Sequence, residues 1–196
     1  MTIIDAHMVT RPYPWPDSGG GDTGLIRQEE GMCFLGLIDT LGHGQEAFAA
    51  AERAKNFLEI NFREDLVPLM QRLHKYLESD RGAVAAFCRI DIATGEMLTV
   101  GIGNITVKTF GTNPETFVFK DGILGYIAPT PTERETHLFP GDILVIHSDG
   151  IRSHFSAIDC SDILPGSAES ISTGILKRFS KQNDDASCII LKYLPS

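Results

Sequence analysis

Apolar residues in this chain fall into two patterns. The runs Met32 to Ile38, Ile143 to Ile146 and Ser187 to Leu191 are short and nearly unbroken, and they read as strands buried on both faces. Elsewhere the apolar positions recur with a helical period. Ala47, Ala50, Ala51, Ala54, Phe57 and Leu58 mark a helix over Gln45 to Asn61 with a small-residue face able to pack closely on a sheet. Leu66, Met70, Leu73 and Leu77 mark a second helix over Glu64 to Glu78, where Pro68 is tolerable because it falls in the first turn.

Between and around these elements the spacing predicts further strands: Thr23 to Gln28, Ala83 to Ile92, Met97 to Ile102, Ile105 to Phe110, Phe117 to Phe119, Asp142 to His147 and Ser187 to Tyr193. Turn signals separate several of them, among them Ala93-Thr94-Gly95-Glu96 and Pro140-Gly141. The second half of Ser161 to Lys181 is predicted helical, with Ile171, Ile175, Leu176 and Phe179 on its apolar face. Arg11 to Gly21 is too rich in Pro and Gly for regular structure and is expected to be a surface loop. Long antiparallel runs with helices in separate blocks predict an α+β domain, two sheets face to face with helices outside, rather than a doubly wound parallel sheet. A single sheet covered by helices on one side is the alternative.

At 196 residues the chain suits one domain spanning 1–196 with a proper core. It is 42% hydrophobic and 22% charged, with mean hydropathy near zero, the profile of a soluble globular protein. Its formal net charge of -9 would repel nucleic acid and anionic membranes, so neither is an expected partner. The first residues lack the basic-then-apolar pattern of a signal peptide and no run is long enough to span a bilayer, so a cytoplasmic location is expected. Cys33, Cys88, Cys160 and Cys188 show no paired spacing; three lie in apolar runs, where a thiol acts as a small hydrophobe.

Acidic residues sit at the tips of the buried runs: Asp39 after Ile38, Asp149 after Ile146-His147-Ser148, and Asp184-Asp185 before Ser187. Each alone reads more readily as a solvated turn, and Asp39-Thr40-Leu41-Gly42-His43-Gly44 as a strand-to-helix loop with glycines for unusual backbone angles. Together they imply more. Carboxylates distant in sequence but each anchored to a buried strand can converge and hold hard divalent cations through oxygen ligands.

In order, Gly21-Asp22, Asp39-Thr40-Leu41-Gly42-His43-Gly44, Arg81-Gly82-Ala83, Gly103-Asn104, Pro140-Gly141-Asp142 running into Ser148-Asp149-Gly150, and Asp184-Asp185-Ala186-Ser187 resemble the successive motifs of the metal-dependent 2C-type protein phosphatases. The likeness covers about nine tenths of the chain. It is narrower still to the SpoIIE-like bacterial branch and its RsbX-like members, which the segment Gly122-Ile123-Leu124-Gly125-Tyr126 also resembles. The resemblance implies a four-layer αββα sandwich, two antiparallel β-sheets flanked by helices. It implies two Mn²⁺ or Mg²⁺ ions bridged by Asp39, with the main-chain carbonyl of Thr40 and Asp22 on one side and Asp149 and Asp184 on the other. Asp185 is expected to support Asp184 or an additional weak metal. The family has a small residue where Thr40 stands, and this side chain is expected to narrow the room for substrate.

By the same resemblance the reaction is hydrolysis of phosphoserine or phosphothreonine by water activated between two metals, without a phosphoenzyme. His43 is a candidate catalytic proton donor, although its spacing from Asp39 departs from that of the histidine in eukaryotic relatives. His147 reads as a core or supporting residue. Arg11, Arg81 and Arg152 are candidates for phosphate contact, and no substrate-binding residue is assigned. The implied partners are phosphorylated stressosome proteins of STAS type. Two other readings remain: a catalytically weak regulator that binds a phosphoprotein, and a metallohydrolase of small phosphate esters.

Overall fold

A computed structural model describes residues 3–12, 19–78 and 80–194. One sheet contains, in spatial order, β1 (Ile3–Arg11), β10 (Ala186–Leu194), β9 (Ile143–His147), β6 (Thr106–Phe110) and β7 (Glu115–Phe117). The other contains β2 (Asp22–Glu29), β3 (Met32–Thr40), β4 (Ala83–Asp91), β5 (Glu96–Ile102) and β8 (Arg134–His137). All neighbours in both sheets pair antiparallel. Helices α1 (Gln45–Asn61) and α2 (Leu66–Tyr76) cover the second sheet, and α3 (Ala168–Phe179) covers the first. The result is the α+β αββα sandwich.

Burial on both faces explains why the central strands carry no visible alternation. In β3, Phe34 and Ile38 pack with Leu58, Leu66 and Leu69 under the helices, whereas Cys33, Leu35 and Leu37 face Leu144, Ile146 and Ile189 of the opposite sheet. In β10, Ile189 and Leu191 enter the same inter-sheet core, while Cys188 and Ile190 meet Ile171 and Ile175 of α3. The period of two is present but hidden, because both sets are apolar. Each such side chain contributes roughly 1.5–3 kcal/mol on burial.

Helix α1 presents Ala47, Ala50, Ala51 and Ala54 to the sheet, all buried. Gly36 of β3 assists the close approach: a Cβ there would stand 3.1 Å from Leu58 Cδ1. Helix α2 begins at Leu66, not Glu64, because Asp65 is extended (ψ 142°) and serves as N-cap. Pro68 then occupies the first turn, where its missing N–H has no helical acceptor to lose.

Two strands lack a recognisable signature. Strand β1 is interrupted by Asp5, His7 and Thr10, yet it pairs with β10 from Ile3↔Leu194 to Arg11↔Ala186. Ile4, Ala6 and Met8 pack toward the inter-sheet core. Asp5 and His7 serve α3 instead: Asp5 Oδ2 accepts from Ala168 N (2.8 Å), and His7 Nδ1 lies 2.9 Å from Ser172 Oγ. Strand β8 is a short polar edge. The strand expected at Phe117–Phe119 lies earlier, at Glu115–Phe117, because Val118 is 80% exposed. Arg11, expected in a loop, ends β1; the rest of that Pro/Gly loop from 13 to 18 lies outside the described residues. All four cysteines are buried free thiols. Among the described residues no helix is long and apolar enough to cross a membrane.

Candidate functional site

Pairing of β2 with β3 sets Asp22 directly opposite Asp39 at one end of the ladder. In the other sheet, the pairing of Cys188 with His147 brings together the chain leaving β9, which carries Ser148 and Asp149, and the chain entering β10, which carries Asp184 and Asp185. Asp39, Asp149, Asp184 and Asp185 line one cleft of about 470 Å³, together with Thr40, His43 and Asn104. Asp22 adjoins them behind a hydrogen bond from Ser148 Oγ to its Oδ2 (2.7 Å).

Neutral donors fix these carboxylates. Ser148 Oγ also accepts from Ser187 N (3.1 Å), so one hydroxyl joins β10 to β2. Asn104 Nδ2 donates to Asp149 Oδ2 (3.0 Å) and Gly21 N donates to Asp185 Oδ2 (2.7 Å). Thr40 is buried, its hydroxyl within reach of the Gly21 and Ala47 carbonyls (2.9 and 3.1 Å). That side chain therefore closes the strand-to-helix turn rather than occupying substrate space, a correction to the sequence expectation.

Burial and crowding act on the acids in the same direction. Burial, followed by the charges of Asp22, Asp149, Asp184 and Asp185, pushes the Asp39 carboxyl up to about 9. Burial raises Asp22 to about 6, opposed by the hydrogen bond from Ser148 and reinforced by the charges of Asp185 and Asp149. Asp184 is raised as well, by burial and then by Asp149. Asp142, by contrast, is a buried structural acid that accepts from Thr112 N and Phe139 N (2.7 and 2.9 Å).

His43 is exposed on the cleft wall, between Gly42 and Gly44, whose φ values of 89° and 81° suit glycine alone. His147 is fully buried; its Nδ1–H donates to Ser148 O (2.9 Å) and burial lowers its pKa to about 4. Of the candidate arginines, Arg81 pairs with Glu46 and donates to Leu41 O (3.2 Å). Arg152 is exposed just past Asp149, and Arg11 is bonded to the segment leading into Asp184. The sequence assigns no site role to Asn104, Ser148 or Ser187; all three stand within the motifs that carry the acids, and that adjacency is their only signal.

The two acid-bearing turns touch at Gly150, where an added Cβ would fall 1.6 Å from the carbonyl oxygen of Asp185. Gly150→Ala must therefore displace backbone. It is expected to cost roughly 2–3 kcal/mol, read as a lower melting temperature in chelator, and to weaken Mn²⁺ binding measured by calorimetry.

A family model for stage II sporulation protein E (SpoIIE) matches residues 29–194. The chain belongs to the SpoIIE family. A solved chain from work on the bacterial stressosome as a modular system adapted to control secondary messenger signaling is 31% identical to this SpoIIE-family chain; the match covers 97% of this chain and 100% of that one, with a TM-score of 0.89. RsbX in complex with magnesium is 19% identical over 98% of this chain and 100% of its own, with a TM-score of 0.80. The PP2C phosphatase domain of SpoIIE from Bacillus subtilis is 13% identical over 97% of this chain and 63% of the solved one, with a TM-score of 0.77. No curated protein matches by sequence. The chain thus combines SpoIIE-family membership with the PP2C-type fold.

Among the described residues, no three acidic, histidine or cysteine side chains are arranged closely enough to hold a metal ion. Their chemistry nevertheless fits divalent cations. Asp22 Oδ1 is buried with no hydrogen-bond partner, a costly state for a carboxylate oxygen. Gly21 leaves the Thr40 carbonyl uncovered, since a Cβ there would stand 2.8 Å from that oxygen. Every side-chain donor is a hard carboxylate oxygen, the preference of Mg²⁺ and Mn²⁺.

Proposed function

We propose that this SpoIIE-family phosphatase acts through residues 1–196 as one domain and removes phosphate from phosphoserine or phosphothreonine on a stressosome-type signalling protein, such as a STAS-type partner. The observation that carries the reading is the Asp22–Asp39 pair facing Asp149 and Asp184 across the ends of two sheets. The 31% identical stressosome relative supports the partner class, and the magnesium complex of RsbX supports the type of ion.

In this reading Asp39, Asp22, Asp149, Asp184 and the Thr40 carbonyl would hold two Mn²⁺ or Mg²⁺ ions. Bound there, they would lower the pKa of a coordinated water and neutralise charge on the phosphoryl oxygens. The protein contributes orientation. Asn104 holds Asp149, Ser148 holds Asp22, and Gly21 N holds Asp185 as a supporting carboxylate. His43, exposed on the cleft wall, supplies a proton to the departing serine oxygen.

The test is phosphate release from phosphoserine and phosphothreonine proteins with Mn²⁺, Mg²⁺ or chelator. Release with either ion and none in chelator is expected. Equal release in chelator, or turnover confined to nucleotides and small esters, would overturn the proposal.

A further inference from the structure

The segment leading into Asp184 is held by one guanidinium from β1, the strand paired with β10. Arg11, at the last pair of β1 and β10, is partly buried. Its Nη1 donates to Ser180 Oγ (2.8 Å), and its Nη2 donates to Lys181 O and to Asp184 O (3.3 Å). The same segment is laced to the turn that carries Asp149. Lys181 N donates to Gly150 O (2.7 Å), Arg152 N donates to Phe179 O (2.9 Å), and Ile151 and Ser180 form an isolated bridge. Two acidic turns without regular structure of their own thus share one clamp, and it lies on a regular strand.

A loop carboxylate can meet a cation only if its backbone is held, and polar groups beyond the direct ligands commonly do this. Arginine suits the task, because its planar fork reaches several oxygens at once and stays charged at any working pH.

We propose that Arg11 is a positioning residue for the divalent-cation site, holding Asp184 directly and the Asp149 turn through Ser180 and Lys181. The proposal rests on the phosphatase reading above and adds a residue that makes no direct contact with cation or substrate. It differs from a purely structural role in one respect: loss of Arg11 changes cation affinity, whatever it does to overall stability.

The experiment is calorimetric titration of the full chain with Mn²⁺ and no substrate, comparing wild type with Arg11→Gln, Arg11→Lys and Ser180→Ala, each checked by melting in chelator. Arg11→Gln is expected to raise the Mn²⁺ Kd about tenfold or more, as loss of such supporting contacts does elsewhere. Arg11→Lys should fall between the two, since an ammonium cannot span the same oxygens. Ser180→Ala should weaken binding by about threefold, and it carries the test should Arg11→Gln fail to fold. A lowered melting temperature with Mn²⁺ affinity unchanged in the folded variants would overturn the proposal. No binding by the wild type would overturn the phosphatase reading itself and the role of Arg11 with it.

Discussion

Asp39→Asn is expected to reduce Mn²⁺-dependent phosphate release by roughly 10³-fold or more, read as kcat/KM on a phosphoserine protein. Asp39 stands opposite Asp22 in the ladder, and burial, followed by the charges of the four other acids, pushes its pKa up. Asparagine keeps the shape but removes the charge and one strong oxygen ligand. Because a loose phosphoryl-transfer transition state is stabilised chiefly by positioning and charge neutralisation, the loss should appear in kcat more than in KM. Activity within a few fold of wild type would remove Asp39 from the proposed site.

The same substitution should stabilise the protein in chelator. Asp39 and Asp22 have folded-state pKa values of about 9 and about 6 against 3.8 for the ordinary group. Between pH 3.8 and those values the folded state binds more protons than the unfolded chain, so burial of these acids costs stability at neutral pH and the cost fades as pH falls toward 4. At pH 7, Asp39→Asn should gain about 2–4 kcal/mol in chelator, a rise in melting temperature of about 5–10 °C. The gain should shrink steadily on acidification to pH 5. Mn²⁺ at 1,000 times its Kd should cancel or reverse this advantage, since it adds about 4.1 kcal/mol to the wild type and little to the variant. Melting curves in chelator and in Mn²⁺, at pH 5 and pH 7.5, decide the matter; a variant less stable than wild type in chelator would contradict the electrostatic account.

The central strands were legible because the residues that make them are apolar on both faces, as in Cys33 to Ile38 and Cys188 to Leu191. The helical faces of α1 and α2 were legible for the same reason: their partners lie three or four residues away. Strand β1 was not, because Asp5 and His7 look like loop residues until α3 is placed beside them, where they meet Ala168 and Ser172. Strand β8 carries only polar residues and owes its strand form to the edge of β5. Thr40 was misread for a related reason, since the carbonyls that engage its hydroxyl belong to Gly21 and Ala47.

The acids divide along the same line. Their places at the tips of apolar runs are local facts, written in the chain order of Ile38-Asp39, Ser148-Asp149 and Asp184-Asp185. Their convergence depends on long-range pairing, as does the support they receive: Ser148 reaches Asp22 across 126 residues and Asn104 reaches Asp149 across 45. A one-residue slip in either ladder would turn Asp39 or the β10 side chains to the other face without altering any local pattern. Side-chain character along the chain therefore dictates which segments are strands, which are helices and where charge accumulates. Register and sheet packing, set by contacts between distant segments, dictate that Asp22 faces Asp39, that Gly150 touches Asp185, and that a guanidinium from β1 holds the segment before β10.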